Sequence, residues 1–178
     1  MESKTKNILL IATIVVLLML STPATAALEK LIMKLEEDNQ AALTAYDDGT
    51  GTPTIGFGST YNYDLNRPVQ FGDQITMQQA YKFMRCELDQ VVSDIKAFVF
   101  VPINNNQLYA LASLGYNIGT PRLRTSTLIK LLNQGENKNF VADQFLVWNK
   151  AINENTGKLE FNQGLYNRRI LERDLFLS

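Results

Sequence analysis

One short stretch constrains the fold more than any other part of this 178-residue chain: Leu43 to Thr60, LTAYDDGTGTPTIGFGST. It alternates apolar and polar residues, and a Gly-Thr-Gly-Thr-Pro run interrupts it. The pattern predicts two strands joined by a tight turn. Helical periodicity lies on either side. LEKLIMKLEE puts Leu28, Leu31, Ile32 and Leu35 on one face. NRPVQFGDQI reads as a loop, and from Thr76, a reasonable N-cap, a long helix is expected. Met77, Tyr81, Met84, Leu88, Val91, Ile95 and Phe98 recur along it at three- and four-residue steps, and Pro102 ends it. NNNQLYALASLGYNIG gives an Asn-capped helix with Leu108, Leu111 and Ala112 inward. STLIKLLNQG gives a short amphipathic helix closed by Gly135. FVADQFLVWNKA and GLYNRRILERDLFL complete the chain. The expected class is therefore α+β: a small β patch, a larger helical body, and a cleft between them where a polymer could bind.

Composition excludes several chemistries. The chain has no histidine, which removes Ser-His-Asp and Cys-His nucleophilic catalysis and His-ligated zinc. Its one cysteine, Cys86, precludes an intramolecular disulfide or a Cys-rich metal cluster and is expected to be a buried structural thiol. A net charge of -1 gives no electrostatic case for nucleic acid as a partner. Any hydrolysis must run on carboxylates, hydroxyls and water.

The N-terminus reads as an export signal. Lys4 and Lys6 precede an apolar run from Ile8 to Leu20, and Ala24-Thr25-Ala26 supplies the small residues of a cleavage site. This divides the chain into a signal peptide, 1–26, and one domain, 27–178. Loss of 1–26 removes Glu2, Lys4 and Lys6 and leaves a net charge of -2. The alternative is an uncleaved anchor over residues 7–28, which carry no charged side chain. Either way the domain is expected beyond the inner membrane, in the periplasm or outside the cell, and meets the membrane only through this segment.

Glu36 and Glu37 end the first predicted helix, and about ten residues later Asp47 and Asp48 end a strand. Folded back on each other, these elements would bring one carboxyl from each to a shared site. Such a pair can cleave a glycosidic bond, one protonated to assist the leaving group and one ionised to position water. Thr54 could hold that water. By spacing alone, however, the structural reading is favoured, with Asp48-Gly49 plain turn chemistry and Thr54 a strand former.

The order of motifs resembles the phage-type lysozymes, glycoside hydrolase family 24. Those proteins follow a Glu-bearing helix with an AY-x-D strand and a T-I-G-x-G strand, here AYDD and TIGFG. GDQITMQQA, NNNQLYALASLGYNIG, STLIKLLNQGE, FLVWNKA and GLYNRRILERDLF continue the likeness in register from Leu28 to Phe176. The resemblance implies a muramidase that cuts the β-1,4 bond between N-acetylmuramic acid and N-acetylglucosamine with inversion. It implies peptidoglycan strands as the partner, a monomer, and neither metal nor organic cofactor. It places the catalytic Asp on Asp48 and the Thr on Thr54. The family's acid usually lies seven residues before the Tyr, which here is Asn39, so this connection is two or three residues longer. Matching Leu31, Ile32 and Leu35 makes Glu36 the expected acid, while Glu37 needs one inserted residue fewer and is the alternative. Ser59 stands where many members carry His. Thr60, Tyr116 and Thr127 fall where the family contacts glycan. Arg168 and Arg169 either frame the cleft or, as expected here, are helix-surface charges. Should neither glutamate reach Asp48, the resemblance would imply a catalytically inactive glycan-binding module on the same fold.

Overall fold

A computed structural model describes residues 32, 41–153 and 156–178. The predicted signal or anchor, and with it the choice between domain 27–178 and a tethered chain, lies outside these residues. So do Glu36 and Glu37. Ile32 is helical and buried, as its place on the inner face of the first predicted helix requires.

The chain divides into two compact units, Met1–Glu87 and Leu88–Ser178. In the first, β1 (Ala42–Asp47) and β2 (Pro53–Gly56) pair antiparallel, with Tyr46 opposite Thr54 and Asp47 opposite Pro53. The register slips between Ala42 and Tyr46. That irregularity turns the middle of β1 toward another segment: the Ala45 amide donates to the Asp73 carbonyl, and the Ile75 amide to the Leu43 carbonyl, both at 2.9 Å. β1 is thus held from two sides, as a bulged strand is where it is re-aimed. A second hairpin pairs β3 (Tyr61–Asn62) with β4 (Arg67–Pro68), and β4 falls in the stretch expected to be loop. Arg67 clamps Asp73 through both guanidinium Nη atoms, at 2.9 and 2.7 Å.

Ile55, Val69, Ile75, Ala80 and Phe83 form the core of this unit, with Ala45, Phe57 and Tyr63 packed against it. Each fully buried large apolar side chain contributes about 1.5–3 kcal/mol. Gly56 is required here: its φ is +67°, and a Cβ would lie 3.4 Å from that of Ala80.

Helix α1 spans Met77–Phe98. Thr76 caps it as expected, since its hydroxyl accepts from the Gln79 amide while the Gln79 carboxamide accepts from the Thr76 amide. Every predicted inward residue of α1 from Met84 to Phe98 is buried. Cys86 is half-buried, not sealed in the core as expected, because it sits at the flank of that stripe.

The second unit holds α2 (Asn105–Ile118), α3 (Thr120–Arg124), α4 (Thr127–Asn133), α5 (Lys138–Asp143), a 3-10 turn (Gln144–Val147), strands β5 (Lys150–Ile152) and β6 (Leu159–Phe161), and α6 (Gln163–Leu177). Asn104 caps α2 through a reciprocal box with Gln107. Leu111 and Ala112 are fully buried, while Leu108 is only half-buried. Gly115 lets neighbouring elements close on α2, because a Cβ there would meet Leu123 at 3.1 Å and Val91 at 3.2 Å. Gly135, with φ +72°, follows α4 as expected. α6 packs along α2 and the 3-10 turn, bringing Phe145 and Phe176 to 5.6 Å between ring centroids. Helices and small antiparallel hairpins together make this an α+β protein, as expected.

Candidate active site

The candidate site begins at the tight turn between β1 and β2. Positive φ at Gly49 (+88°) and Gly51 (+83°) lets residues 48–52 reverse within five positions. Two adjacent aspartates then divide the amides of that turn. Oδ1 of Asp47 accepts from the Gly49 and Gly51 amides at 2.9 and 2.8 Å. Oδ1 of Asp48 accepts from the Thr50 amide at 2.8 Å, the Thr50 hydroxyl at 2.7 Å and the Thr52 amide at 3.4 Å. Asp47 is therefore a turn residue, and Asp48, whose Asp-Gly step the sequence also allowed as turn chemistry, is bound into the same turn.

The donors decide the charge of Asp48. Its side chain is exposed, and the Thr50 hydroxyl, followed by the Thr50 amide, holds its carboxyl below the ordinary aspartate value. Hydrogen bonds to the charged form of a carboxylate favour ionisation. Asp48 is thus an ionised acceptor near neutrality.

Thr54 lies across the hairpin from half-exposed Tyr46 but is itself only 3% exposed. Its hydroxyl donates to the Thr52 carbonyl at 3.1 Å, which commits the proton and leaves the oxygen lone pairs to accept. A threonine in a short strand is often only a strand former. Here the oxygen keeps its capacity to accept a further hydrogen bond.

The structure brings Asp48 and Thr54 onto one hairpin. The glutamate that would complete the pair, Glu36 or Glu37, lies outside the described residues. Of the expected glycan contacts, Thr60 is exposed just after the T-I-G-x-G strand, with its carbonyl accepting from the Val69 amide. Tyr116 and Thr127 belong to the second unit: Tyr116 is half-buried on α2 and Thr127 is exposed at the start of α4. Ser59 is buried, and its hydroxyl donates to the Tyr61 carbonyl at 2.9 Å. It fixes the bend after β2 rather than presenting a polar group.

Arg168 and Arg169 correct the sequence reading. They are not surface charges: both are buried beside Glu172, which is also buried. Arg169 donates to Glu172 Oε1 at 2.8 Å, Arg168 approaches the same oxygen at 3.4 Å, and the Ser113 hydroxyl donates to it at 2.6 Å. Burial pulls the Arg169 guanidinium down to about 10. Burial also pushes Glu172 up, against the pull of Arg169, Ser113 and Arg168.

Sequence reasoning also passes over Thr50. The available signal was an Asp-Gly-Thr spacing, which suits a side chain that bonds two residues along.

Comparison with known proteins bears on what this hairpin belongs to. The model of the family described as phage lysozyme matches residues 37–172. The endolysin of Salmonella phage P22 is 38% identical over 147 residues, covering 83% of this chain and 94% of its own. The endolysin of Acyrthosiphon pisum secondary endosymbiont phage 1 is 36% identical over 150 residues, covering 84% and 97%. Among solved structures, the endolysin from Escherichia coli O157:H7 phage FAHEc1 superposes with a TM-score of 0.68 at 33% identity, over 89% of this chain and 93% of that one.

Proposed function

The chain belongs to the phage lysozyme family, and we propose that it is an exported muramidase of bacterial cell-wall lysis. Its substrate is peptidoglycan, cut at the β-1,4 bond between N-acetylmuramic acid and N-acetylglucosamine. The observation that carries this reading is the hairpin pair: an ionised Asp48 and a buried Thr54 whose hydroxyl proton is already committed.

In this mechanism Glu36, or Glu37 in its place, protonates the glycosidic oxygen as the bond to the anomeric carbon breaks. Asp48 and Thr54 both accept from the attacking water. A water that donates both protons in this way keeps a lone pair for the developing oxocarbenium carbon, and Asp48 takes the proton as the new C–O bond forms. Attack from the face opposite the leaving group inverts the anomeric centre. Export by the N-terminal segment puts the enzyme on the same side of the inner membrane as its substrate.

The test is release of reducing ends from purified peptidoglycan by the full chain, alongside Glu36→Gln and Glu37→Gln. The parent is expected to release them, and Glu36→Gln to lose about 100- to 10,000-fold. Loss confined to Glu37→Gln moves the acid by one residue. No release by the parent rejects the enzyme.

A further inference from the structure

We infer that Thr50 is a positioning residue for this reaction, fixing Oδ1 of Asp48 so that Oδ2 is the oxygen that takes the water. The inference rests on the muramidase reading above and concerns the same hairpin. Among the described residues, every hydrogen bond to the Asp48 carboxylate falls on Oδ1. Thr50 supplies the two shortest, through its amide and its hydroxyl.

The hydroxyl is itself oriented. Thr50 and Thr52 Oγ1 lie 3.0 Å apart. With the Thr50 proton given to Asp48, the proton of that contact must come from Thr52. The Thr52 carbonyl in turn accepts from Thr54. Three alternate threonines thus run from the carboxylate to the buried hydroxyl across the hairpin, and Thr50 is the member that touches Asp48. An amide alone would anchor Oδ1. The added hydroxyl makes a second, charge-assisted bond that fixes rotation of the carboxylate and favours its ionised form.

The step that Thr50 serves is proton acceptance by Asp48, so its loss should appear where Asp48 protonates. The test is the pH profile of reducing-end release by the full chain carrying Thr50→Val, Thr50→Ser or Asp48→Asn. It is paired with an NMR titration of the Asp48 side-chain carboxyl in the first two. Thr50→Val is expected to move the acid limb of kcat/KM to higher pH, lowering the rate there roughly three- to tenfold. KM should change little, and the carboxyl titration should move the same way. Thr50→Ser keeps the hydroxyl and should restore the parent profile. An unmoved acid limb and unmoved titration in Thr50→Val overturn the inference, as does Thr50→Ser as impaired as Thr50→Val. Asp48→Asn separates the two levels: full activity there rejects the catalytic assignment itself, while loss there with a parent-like Thr50→Val profile rejects only the role of Thr50.

Discussion

Two carboxylates in this protein each gather three donors on one oxygen, and they do so in opposite surroundings. Asp48 sits exposed on a turn, and two of its three donors are backbone amides of that turn. Glu172 is 0% exposed, and its donors are two guanidinium groups and the Ser113 hydroxyl. The first arrangement asks little of the fold, because water still solvates the charge. The second withdraws three charges from water and leaves Nε and Nη1 of Arg169 and Oε2 of Glu172 without hydrogen bonds among the described residues. A buried ion cluster is weak evidence for net stability, but losing one member leaves a charge uncompensated. The buried cluster is thus architectural, while the exposed Asp48 is the carboxylate to which the chemistry proposed above falls.

Substitution should separate the two roles. The largest stability effect is expected at Glu172→Gln, which leaves the buried Arg169 guanidinium without the carboxylate it donates to. It should cost about 3–5 kcal/mol in denaturant unfolding. A loss below about 1 kcal/mol would show that the cluster is solvated and break the contrast. Ser113→Ala removes one donor to Glu172 and leaves the ion pair, so a smaller loss of roughly 1–2 kcal/mol is expected in the same measurement. Asp47→Ala removes two exposed turn bonds and should move the melting temperature by no more than a few degrees, the scale of about 1 kcal/mol for a chain of this size. A collapse of the fold there would make the turn architectural too.

The smallest effect is in the pH dependence of stability, where the two sites carry opposite signs. Asp48 is lowered in the folded state, so its contribution is complete above the ordinary aspartate value and fades as pH falls through the lowered one. Glu172 is raised, chiefly by burial, so its contribution is complete below the ordinary glutamate value and fades as pH rises through the raised one. Unfolding free energies followed from pH 3 to 7 should lose a rising component in Asp48→Asn and a falling one in Glu172→Gln. Slopes of the same sign would contradict the assignment.

The same contrast explains what could be read in the sequence. Local chemistry was legible: the Thr76 and Asn104 caps, the apolar stripe of α1, and the Asp-Gly turn are set by residues a few positions apart. Asp48 and Thr54 belong to that class, and their hairpin formed where expected. Arg168 and Arg169 were misread because their helix packs on α2, far away in sequence, where Ser113 bonds to Glu172 across 59 residues. In sequence they are indistinguishable from an exposed pair on an amphipathic helix. The β5–β6 hairpin escaped notice because three-residue strands hold too few alternations to show a period. The short α3 escaped because Pro121 falls in its first turn, where proline is tolerated but reads as a breaker.

The most direct test of the account is the rate at which full-length Asp48→Asn releases reducing ends from purified peptidoglycan, set beside its melting temperature. The account predicts a rate at least about 100-fold below the parent with melting within a few degrees of it. A rate within about twofold of an active parent would contradict it.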